Sequence, residues 1–244
     1  MTMKLTGVSI GTGNLERTLA VYQAICAASG TMASPAEASM QLGEATLTLR
    51  LAPHDVGITA ITFSCDDLHQ QRLVLEASDI PFVEQAGALL VSARDANGID
   101  VQIESSPPAA SQPIVDARLD HVALRVGDLA GASGFWSALT GMECQQMGLH
   151  PISGGAFSAA RILLGERMIE LIAPEPGVPS QIADRLASHG DGVAALALPV
   201  ADVDAARARL AAIDARVLRQ EPHWMVHPKD SGGVLVQLTP RVNH

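Results

Sequence analysis

The chain has 244 residues, of which 48% are hydrophobic and 17% charged, and its formal net charge is -10. This composition supplies enough apolar material for packed cores, and no apolar run reaches the ~18 residues of a membrane helix. Because the basic residues are scattered, the sequence disfavours a nucleic-acid partner. The chain has three cysteines, which are odd in number and widely separated. This pattern is not typical of a disulfide framework or of a zinc site built from thiolates. Together with the lack of a secretory signal, it indicates a cytoplasmic protein.

The first half of the chain predicts two successive units, each made of one strand, one helix and three further strands. They span Leu5–Pro53 and Ile58–Glu104. A Ser- and Pro-rich segment follows, and its composition disfavours continued secondary structure. The sequence therefore predicts an N-terminal domain over residues 1–105, a linker over residues 106–117 and a C-terminal domain over residues 118–244.

The second half predicts the same order of elements twice more. In the third unit, Leu119–Val126 alternates like a strand, and Asp128 is positioned as the N-cap of a helix through Leu139. Its three strands are predicted near Met142–Gly148, Ala156–Leu164 and Arg167–Ala173. The fourth unit is predicted to contain a strand, a helix and three short strands, at Val193–Val200, Asp202–Ile213, Val217–Gln220, Trp224–His227 and Gly233–Leu238.

An internal repeat relates the two halves. Gly57–Glu104 matches Gly192–Thr239 without a gap at an offset of about 135 positions. Identical residues fall at Asp67 and Asp202, Asp79 and Asp214, Asp95 and Asp230, Gly98 and Gly233, and Gln102 and Gln237. The beginnings of the halves match at a smaller offset, so the second half carries insertions. We expect two connecting loops there, near Gly148–Gly155 and Glu175–Asp191, where function tends to concentrate.

Two segments of the second half resemble a known superfamily. Leu119-Asp120-His121-Val122-Ala123-Leu124-Arg125-Val126, followed by Phe135-Trp136, resembles the opening of vicinal oxygen chelate proteins. His227-Pro228-Lys229-Asp230-Ser231-Gly232-Gly233-Val234-Leu235-Val236-Gln237-Leu238 resembles the closing strand of their glyoxalase and methylmalonyl-CoA epimerase branch. The resemblance implies an α+β fold in which four βαβββ modules form two curled-sheet cups. It also implies a divalent metal ion on the inner wall of a cup, bound by the first and fourth strands of each module.

The resemblance assigns the four metal-ligand positions of the second cup to His121, Glu170, Ala195 and Gln237. It thus implies a divalent ion held by His121, Glu170 and Gln237, since an amide oxygen can bind a hard cation. Alanine has no donor atom. The same positions of the first cup are Gly7, Thr48 or Leu49, Ala60 and Gln102, which cannot build a metal site. We therefore expect the second half to carry the function and the first cup to be a structural or pairing module, which would allow a homodimer.

Each of these candidates also has a structural interpretation. His121 can be a hydrogen-bonded core histidine, and Glu170 can face solvent on a half-exposed strand. Gln237 can be a structural amide, because Gln102 repeats it in the half that lacks the other ligands. Burying a lone carboxylate such as Glu170 in an apolar strand is costly unless it is paired or bound to a metal.

Two further residues are candidates for substrate binding. His227 lies in the His-Pro-Lys-Asp turn, where it can serve either substrate contact or turn geometry. Arg161, on the strand before Glu170, can bind an anionic substrate or can be an exposed surface arginine.

Two functions are compatible with these residues. The first is a metal-dependent lyase or isomerase of the glyoxalase type, in which the ion polarises a carbonyl or enediolate oxygen and Glu170 is the catalytic base. The second is metal-free binding or sequestration of a small molecule, as in the bleomycin-resistance members of the superfamily. Both predict a small-molecule ligand and neither nucleic-acid nor membrane partners.

Overall fold

The computed structural model describes residues 3–52, 54, 56–106, 118–152, 155–220 and 222–241, with the backbone alone at residues 151 and 152. One strand, one helix and three strands follow each other four times, which confirms the four predicted βαβββ modules. Residues 107–117 of the predicted linker lie outside the described residues. Among the described residues, none of the helices has the length and apolarity that crossing a membrane requires.

Two modules form the first half. The first module contains β1 (Met3–Thr12), α1 (Leu15–Cys26), β2 (Thr31–Ser34), β3 (Glu37–Leu42) and β4 (Ala45–Leu51). The second module contains β5 (Gly57–Cys65), α2 (Leu68–Ala77), β6 (Val83–Gln85), β7 (Ala88–Val91) and β8 (Asp100–Ser105).

The second half has two modules and one additional helix. The third module contains β9 (His121–Arg125), α3 (Leu129–Thr140), β10 (Cys144–Ile152), β11 (Gly155–Leu164) and β12 (Arg167–Pro174), and α4 (Gln181–His189) follows it. The fourth module contains β13 (Gly192–Val200), α5 (Val203–Ala212), β14 (Val217–Gln220), β15 (His223–Val226) and β16 (Val236–Pro240).

The strands form two eight-stranded sheets, with the orders β2-β3-β4-β1-β5-β8-β7-β6 and β10-β11-β12-β9-β13-β16-β15-β14. Within a module, the first strand pairs in parallel with the last, as β1 does with β4 and β9 with β12. The remaining pairs inside each module are antiparallel hairpins, such as β11 with β12. The parallel pairing therefore brings the two strands that carry candidate ligands side by side.

Local sequence explains where the helices begin and which sheet face is covered. Each of the five helices in the described part of the chain has a polar N-cap whose side chain accepts a hydrogen bond from the backbone nitrogen three residues later, at Asn14, Asp67, Asp128, Ser180 and Asp202. Strand residues alternate between faces. In the third module, α3 packs against β10, β11 and β12, and Val122, Leu124 and Leu171 on the covered face are fully buried. The other face, which α3 does not cover, carries polar residues, and α4 contacts β12.

The described residues group into two compact units that do not follow the sequence halves. Unit 1 comprises the described residues within Met1–Leu5, Ile61–Pro108 and His121–Ala194, and it contains most of the second and third modules. Unit 2 comprises the described residues within Thr6–Ala60, Ala109–Asp120 and Ala195–His244, and it contains most of the first and fourth modules. The division into domains at residues 105 and 118 stays a prediction.

The two predicted insertion loops contain regular secondary structure. The expectation of a loop over Gly148–Gly155 was wrong, because β10 pairs with β11 up to Ile152 and Gly155, beyond a bulge at Gly148 where φ is 78°. The segment Glu175–Asp191 contains the exposed helix α4. In the fourth module, Gly233 lies in a turn with φ 82° rather than at the start of the last strand, which begins at Val236.

Candidate functional site

His121 and Glu170 meet on the uncovered face of the second sheet, in unit 1. His121 begins β9 and pairs with Met168 of β12, so Glu170, two residues further along β12, lies on the same face. The Nε2 atom of His121 is 3.6 Å from a carboxylate oxygen of Glu170. The side chain of His121 is 11% exposed and that of Glu170 is 30% exposed. The carboxylate is therefore paired and also open to a ligand.

Arg161 and Gln145 extend this polar surface across the neighbouring strands. Arg161 of β11 is the cross-strand partner of Glu170, and Gln145 of β10 is the cross-strand partner of Arg161. The three side chains thus share one face of the sheet. The guanidinium Nε of Arg161 donates a hydrogen bond to Gln145 at 3.1 Å. Arg161 thus lies beside the candidate base, where the sequence suggested a contact with an anionic substrate.

Arg125 is a residue of this face that sequence analysis did not single out. It follows His121 and Ala123 at alternate positions of β9, is 8% exposed, and donates from Nε to the Gly190 carbonyl at 3.0 Å. Burial lowers the pKa of Arg125 and the positive charge of Arg185 on α4 lowers it further, whereas Asp191 opposes the shift. The alternation of His121 with Arg125 in the sequence was a signal that could have identified this second charged position.

His150 lies on the extended part of β10 opposite Phe157 of β11. The two rings stack with their centroids 5.4 Å apart, and the Nε2 atom of His150 is buried without a partner among the described groups. His150 falls in the segment where a loop was expected, and the structure places it in the strand pair that also carries Arg161.

Gln237 and His227 belong to unit 2. Gln237 lies on β16, half-buried, between its cross-strand partners Ala197 and Met225. His227 lies in the turn after β15, and its Nδ1 atom accepts a hydrogen bond from the backbone nitrogen of Lys229 at 3.1 Å. Its own backbone nitrogen donates to the Arg216 carbonyl. These contacts fit the turn-geometry interpretation of His227, and its role in substrate binding stays a prediction.

Strand pairing in the first sheet decides which residue of the first half matches Glu170. Gly7 pairs with Thr46 as His121 does with Met168, so Thr48, not Leu49, is the counterpart of Glu170. The same sheet has a cavity of about 560 Å³ beside Gln102, whose amide donates to Glu104. A carboxylate, that of Glu104, thus lines a cavity in the half whose four candidate ligand positions cannot build a metal site.

Comparison with known proteins agrees with this architecture. A glyoxalase-like domain model matches residues 119–231. Human mitochondrial methylmalonyl-CoA epimerase is 29% identical over 175 residues, which span 63% of this chain and 98% of the epimerase. The Bos taurus epimerase is 32% identical over 143 residues, which span 55% of this chain and 80% of that protein.

A solved structure extends the likeness to nearly the whole chain. A variant of 4-hydroxymandelate synthase from Streptomyces coelicolor superposes with a TM-score of 0.68 at 17% identity, and the match covers 99% of this chain and 94% of the synthase. The chain belongs to the vicinal oxygen chelate superfamily. The superposition shows that this chain and the synthase share a fold, and the sequence similarity to the epimerases covers 55% to 63% of this chain.

Members of this superfamily often use a divalent metal, and the residues present fit such an ion only in part. His121 and Glu170 supply an imidazole nitrogen and a carboxylate oxygen close together. Among the described residues, no three His, Cys, Asp or Glu side chains cluster as metal donors, whereas catalytic zinc sites use three protein ligands. Ala195 offers no donor at the position where the superfamily resemblance expects histidine.

Proposed function

We propose that the protein is a small-molecule isomerase or lyase that moves a proton next to a carbonyl group, with Glu170 as the base. The proposal is supported by the placement of the Glu170 carboxylate, which is 30% exposed and 3.6 Å from the His121 imidazole. A carboxylate in this position is reachable by a ligand. It also lies beside an imidazole that can pair with it.

In this reaction the Glu170 carboxylate takes the proton from the carbon beside the carbonyl. The electron pair of the broken C–H bond forms a C=C bond, and the carbonyl becomes an enolate oxygen. When the carbon that lost the proton carries a hydroxyl group, this hydroxyl becomes the new carbonyl and its proton passes to the enolate oxygen, while the carboxylic acid of Glu170 returns its proton to the former carbonyl carbon. An acyl thioester without that hydroxyl takes the proton back at the same carbon. With a single base the proton leaves and returns on one side, which favours transfer between adjacent carbons over epimerisation, since inverting one carbon requires a second group on the opposite side.

The charge around Glu170 favours an anionic substrate. Arg161 is the cross-strand partner of Glu170, and Arg125 lies on the same face of β9. Guanidinium groups bind carboxylate and phosphate well because their planar donors match these anions. We infer that the substrate is a carbonyl compound bearing a carboxylate or phosphate. The names of the related methylmalonyl-CoA epimerases add acyl thioesters as a second class to test.

Solvent exchange tests the proton transfer directly. The full chain is incubated in D₂O with glyceraldehyde 3-phosphate or methylmalonyl-CoA, and deuterium at the carbon beside the carbonyl is followed by NMR. Glu170→Gln is expected to lower the enzyme-dependent exchange at least ~100-fold, the usual contribution of general base catalysis. Glu166→Gln is the matched control, because Glu166 lies in the exposed turn between β11 and β12. Equal exchange by the Glu170→Gln variant and the unsubstituted protein would contradict the proposal.

A divalent ion held by His121, Glu170 and Gln237 is a separate hypothesis, and no step above depends on it. It is tested by elemental analysis of protein purified without chelators. Stoichiometric metal that is lost in Glu170→Ala would support the ion, whereas equal metal in both proteins would contradict it. A homodimer and a cytoplasmic location also stay predictions; light scattering after size-exclusion chromatography checks the first.

Metal-free binding of a small molecule is the second candidate function, and Ala195 is the observation that favours it. A binding protein needs a cup with polar anchors but no base. It predicts saturable binding of an anionic carbonyl compound that Arg161→Ala weakens, without deuterium exchange and without metal.

A further inference from the structure

The two units contain the same turn after a helix, α2 in unit 1 and α5 in unit 2. Asp79 and Asp214 occupy matching positions of the repeat, and both have left-handed backbones, with φ of 53° and 52°. Asp95 and Asp230 also match. The backbone carbonyl and carboxylate oxygens of the two turns can accept hydrogen bonds. Each of these oxygens in unit 1 can therefore be compared with its counterpart in unit 2.

In unit 2 the carbonyl and carboxylate oxygens of this turn accept hydrogen bonds from an arginine of the same chain. The guanidinium group of Arg17, on α1, donates to the backbone carbonyls of Ile213 and Asp214, the latter at 3.1 Å. It also donates to the Asp230 carboxylate at 3.2 Å. Arg216 binds the other oxygen of this carboxylate at 2.8 Å. Unit 2 thus displays a guanidinium site built from two carbonyls and one carboxylate.

In unit 1 the matching residues surround a cavity of about 370 Å³. Its lining includes Ser78, Asp79 and Asp95, which are the counterparts of Ile213, Asp214 and Asp230. Gly134, Phe135 and Ala138 of α3 also line this cavity. The three residues that supply acceptor oxygens in unit 2 thus have counterparts in unit 1. There they line a cavity large enough for a side chain.

The arginines of unit 2 have no counterpart in unit 1. The repeat places Gly131 where Arg17 stands and Pro81 where Arg216 stands. Among the described residues that line the cavity, none is Lys or Arg, whereas Asp79 and Asp95 bring two negative charges. The half-buried ring of Phe135 adds an aromatic surface, on which a guanidinium plane can stack, as Arg207 does on Trp224 in unit 2 at 3.6 Å.

From this comparison we infer that the cavity of unit 1 binds a guanidinium group from outside the chain. The group would take the position that the Arg17 guanidinium occupies in unit 2, donating to the Ser78 and Asp79 carbonyls and to the Asp95 carboxylate. A planar group with several fixed donors matches this set of acceptors better than the compact ammonium of lysine does. The site is distinct from the surface around Glu170 and does not depend on its chemistry.

A matched pair of cations tests the inference. The full chain is titrated with N-acetyl-arginine amide or N-acetyl-lysine amide, and backbone amide shifts are followed by NMR. The arginine compound is expected to give saturable shifts around Asp79, Asp95 and Phe135, with a dissociation constant on the order of 1 mM. The lysine compound is expected to bind at least about fivefold more weakly, because it lacks the planar fork.

Two single substitutions separate the carboxylate contact from general charge. Asp95→Asn is expected to weaken binding of the arginine compound about fivefold or more, since it removes the charged acceptor. Glu76→Gln removes one negative charge from the end of α2 without touching the cavity lining, and it should leave binding unchanged. Equal weakening by both variants, or equal binding of the two compounds, would overturn the inference.

A third variant fills the site from within. Asp128→Asn combined with Gly131→Arg recreates the Asn14 and Arg17 pair of unit 2, with a small rotation of the cap side chain to admit the new Cβ. This variant should stop binding of the arginine compound and raise the melting temperature. If it remains folded and still binds the compound at the same cavity residues, the inference fails.

The source of the guanidinium group is distinguished by a peptide. A Gly-Gly-Arg-Gly-Gly amide that binds no more tightly than N-acetyl-arginine amide indicates a small-molecule ligand. Tenfold tighter binding, reduced by Asp95→Asn, indicates an arginine presented by another protein. Absence of saturable shifts with both compounds at 20-fold the expected dissociation constant, ~20 mM, contradicts the site.

Discussion

The turn before the last strand of a module has the same backbone in units 1 and 2 but different polar partners. In unit 2, the Asp230 carboxylate lies between Arg17 and Arg216. In unit 1, Asn97 accepts a hydrogen bond from the Trp136 indole at 3.0 Å and donates to Asp191 at 2.8 Å. The repeat has therefore kept the conformation of the chain while exchanging the side chains that stabilise it.

The conserved feature of both turns is steric. Gly98 and Gly233 have nearly equal positive φ values, 83° and 82°. A Cβ on Gly98 would meet the backbone of Asp191, and a Cβ on Gly233 would lie 3.0 Å from the backbone nitrogen of Gly57. Because a left-handed backbone and a close approach both demand glycine, these positions survive in both copies, whereas polar partners can change.

The largest expected effect is the loss of the buried aromatic anchor of unit 1. Trp136 is fully buried, against Phe63 and Phe135, and Trp136→Ala should lower the free energy of unfolding by about 4 kcal/mol, because it leaves a large cavity. Urea denaturation measures this. Tyr22 is its equally buried counterpart in unit 2, and Tyr22→Ala should lower the free energy of unfolding by a similar amount. The half-exposed Trp224 is the control, and a Trp224→Ala change as large as that of Trp136→Ala would break the comparison.

An intermediate effect should separate the two matching aspartates. Asp230→Asn should cost about 2 kcal/mol of stability, because it weakens hydrogen bonds from two guanidinium groups to a largely buried carboxylate. Asp95→Asn should cost less than about 0.5 kcal/mol, since Asp95 is half-buried and bonds to the exposed Ser92 hydroxyl. Urea midpoints measured side by side test this, and equal losses would show that Asp95 also stabilises its unit.

The smallest expected effect is the change with pH in the stability difference between the unsubstituted protein and Asp230→Asn. Burial raises the pKa of Asp230, but hydrogen bonds from Arg216 and Arg17 outweigh burial and hold the pKa below its usual value. Since the unfolded pKa is about 3.9, the stabilisation is fully present above it and is lost as the pH falls through the folded value. The gap in stability between the unsubstituted protein and Asp230→Asn should therefore be constant from pH 7 to pH 5 and shrink below pH 4. A gap that persists unchanged at pH 2 would exclude the ionised carboxylate as its cause.

Much of the fold followed from the sequence because its signals are local. Two helices in the structure begin and end at positions that match in the repeat: α2 covers Leu68–Ala77 and α5 covers Val203–Ala212. The predicted cap Asp128 acts as the N-cap of α3, whereas Asp202, predicted as the first residue of a helix, is the N-cap of α5. An N-cap, a left-handed turn and an alternating strand each need particular residue types at fixed spacing, so the pattern can be detected without knowledge of the partners.

The remaining features depend on contacts between distant segments. The bulge at Gly148 let a strand continue where a loop was expected. The cavity beside Glu104, the burial of Arg125 and the arginine site at Asp230 arise from packing that no local pattern encodes. The superfamily resemblance assigned His121 and Glu170 to neighbouring strands, and the parallel pairing of β9 with β12 puts both side chains on one face.

The composition of the units also orders events during synthesis. Unit 2 joins residues up to Ala60 with residues from Ala195 onward, so the contacts between these two segments cannot form until the later segment has left the ribosome. Until then α1 can pack on β3 and β4 of its own module but lacks its contacts with α5. Such long-range closure is slow, and it exposes apolar surface to aggregation in the meantime. Unit 1, whose last residue is Ala194, can gather its parts earlier and offers the nascent chain its first completed core.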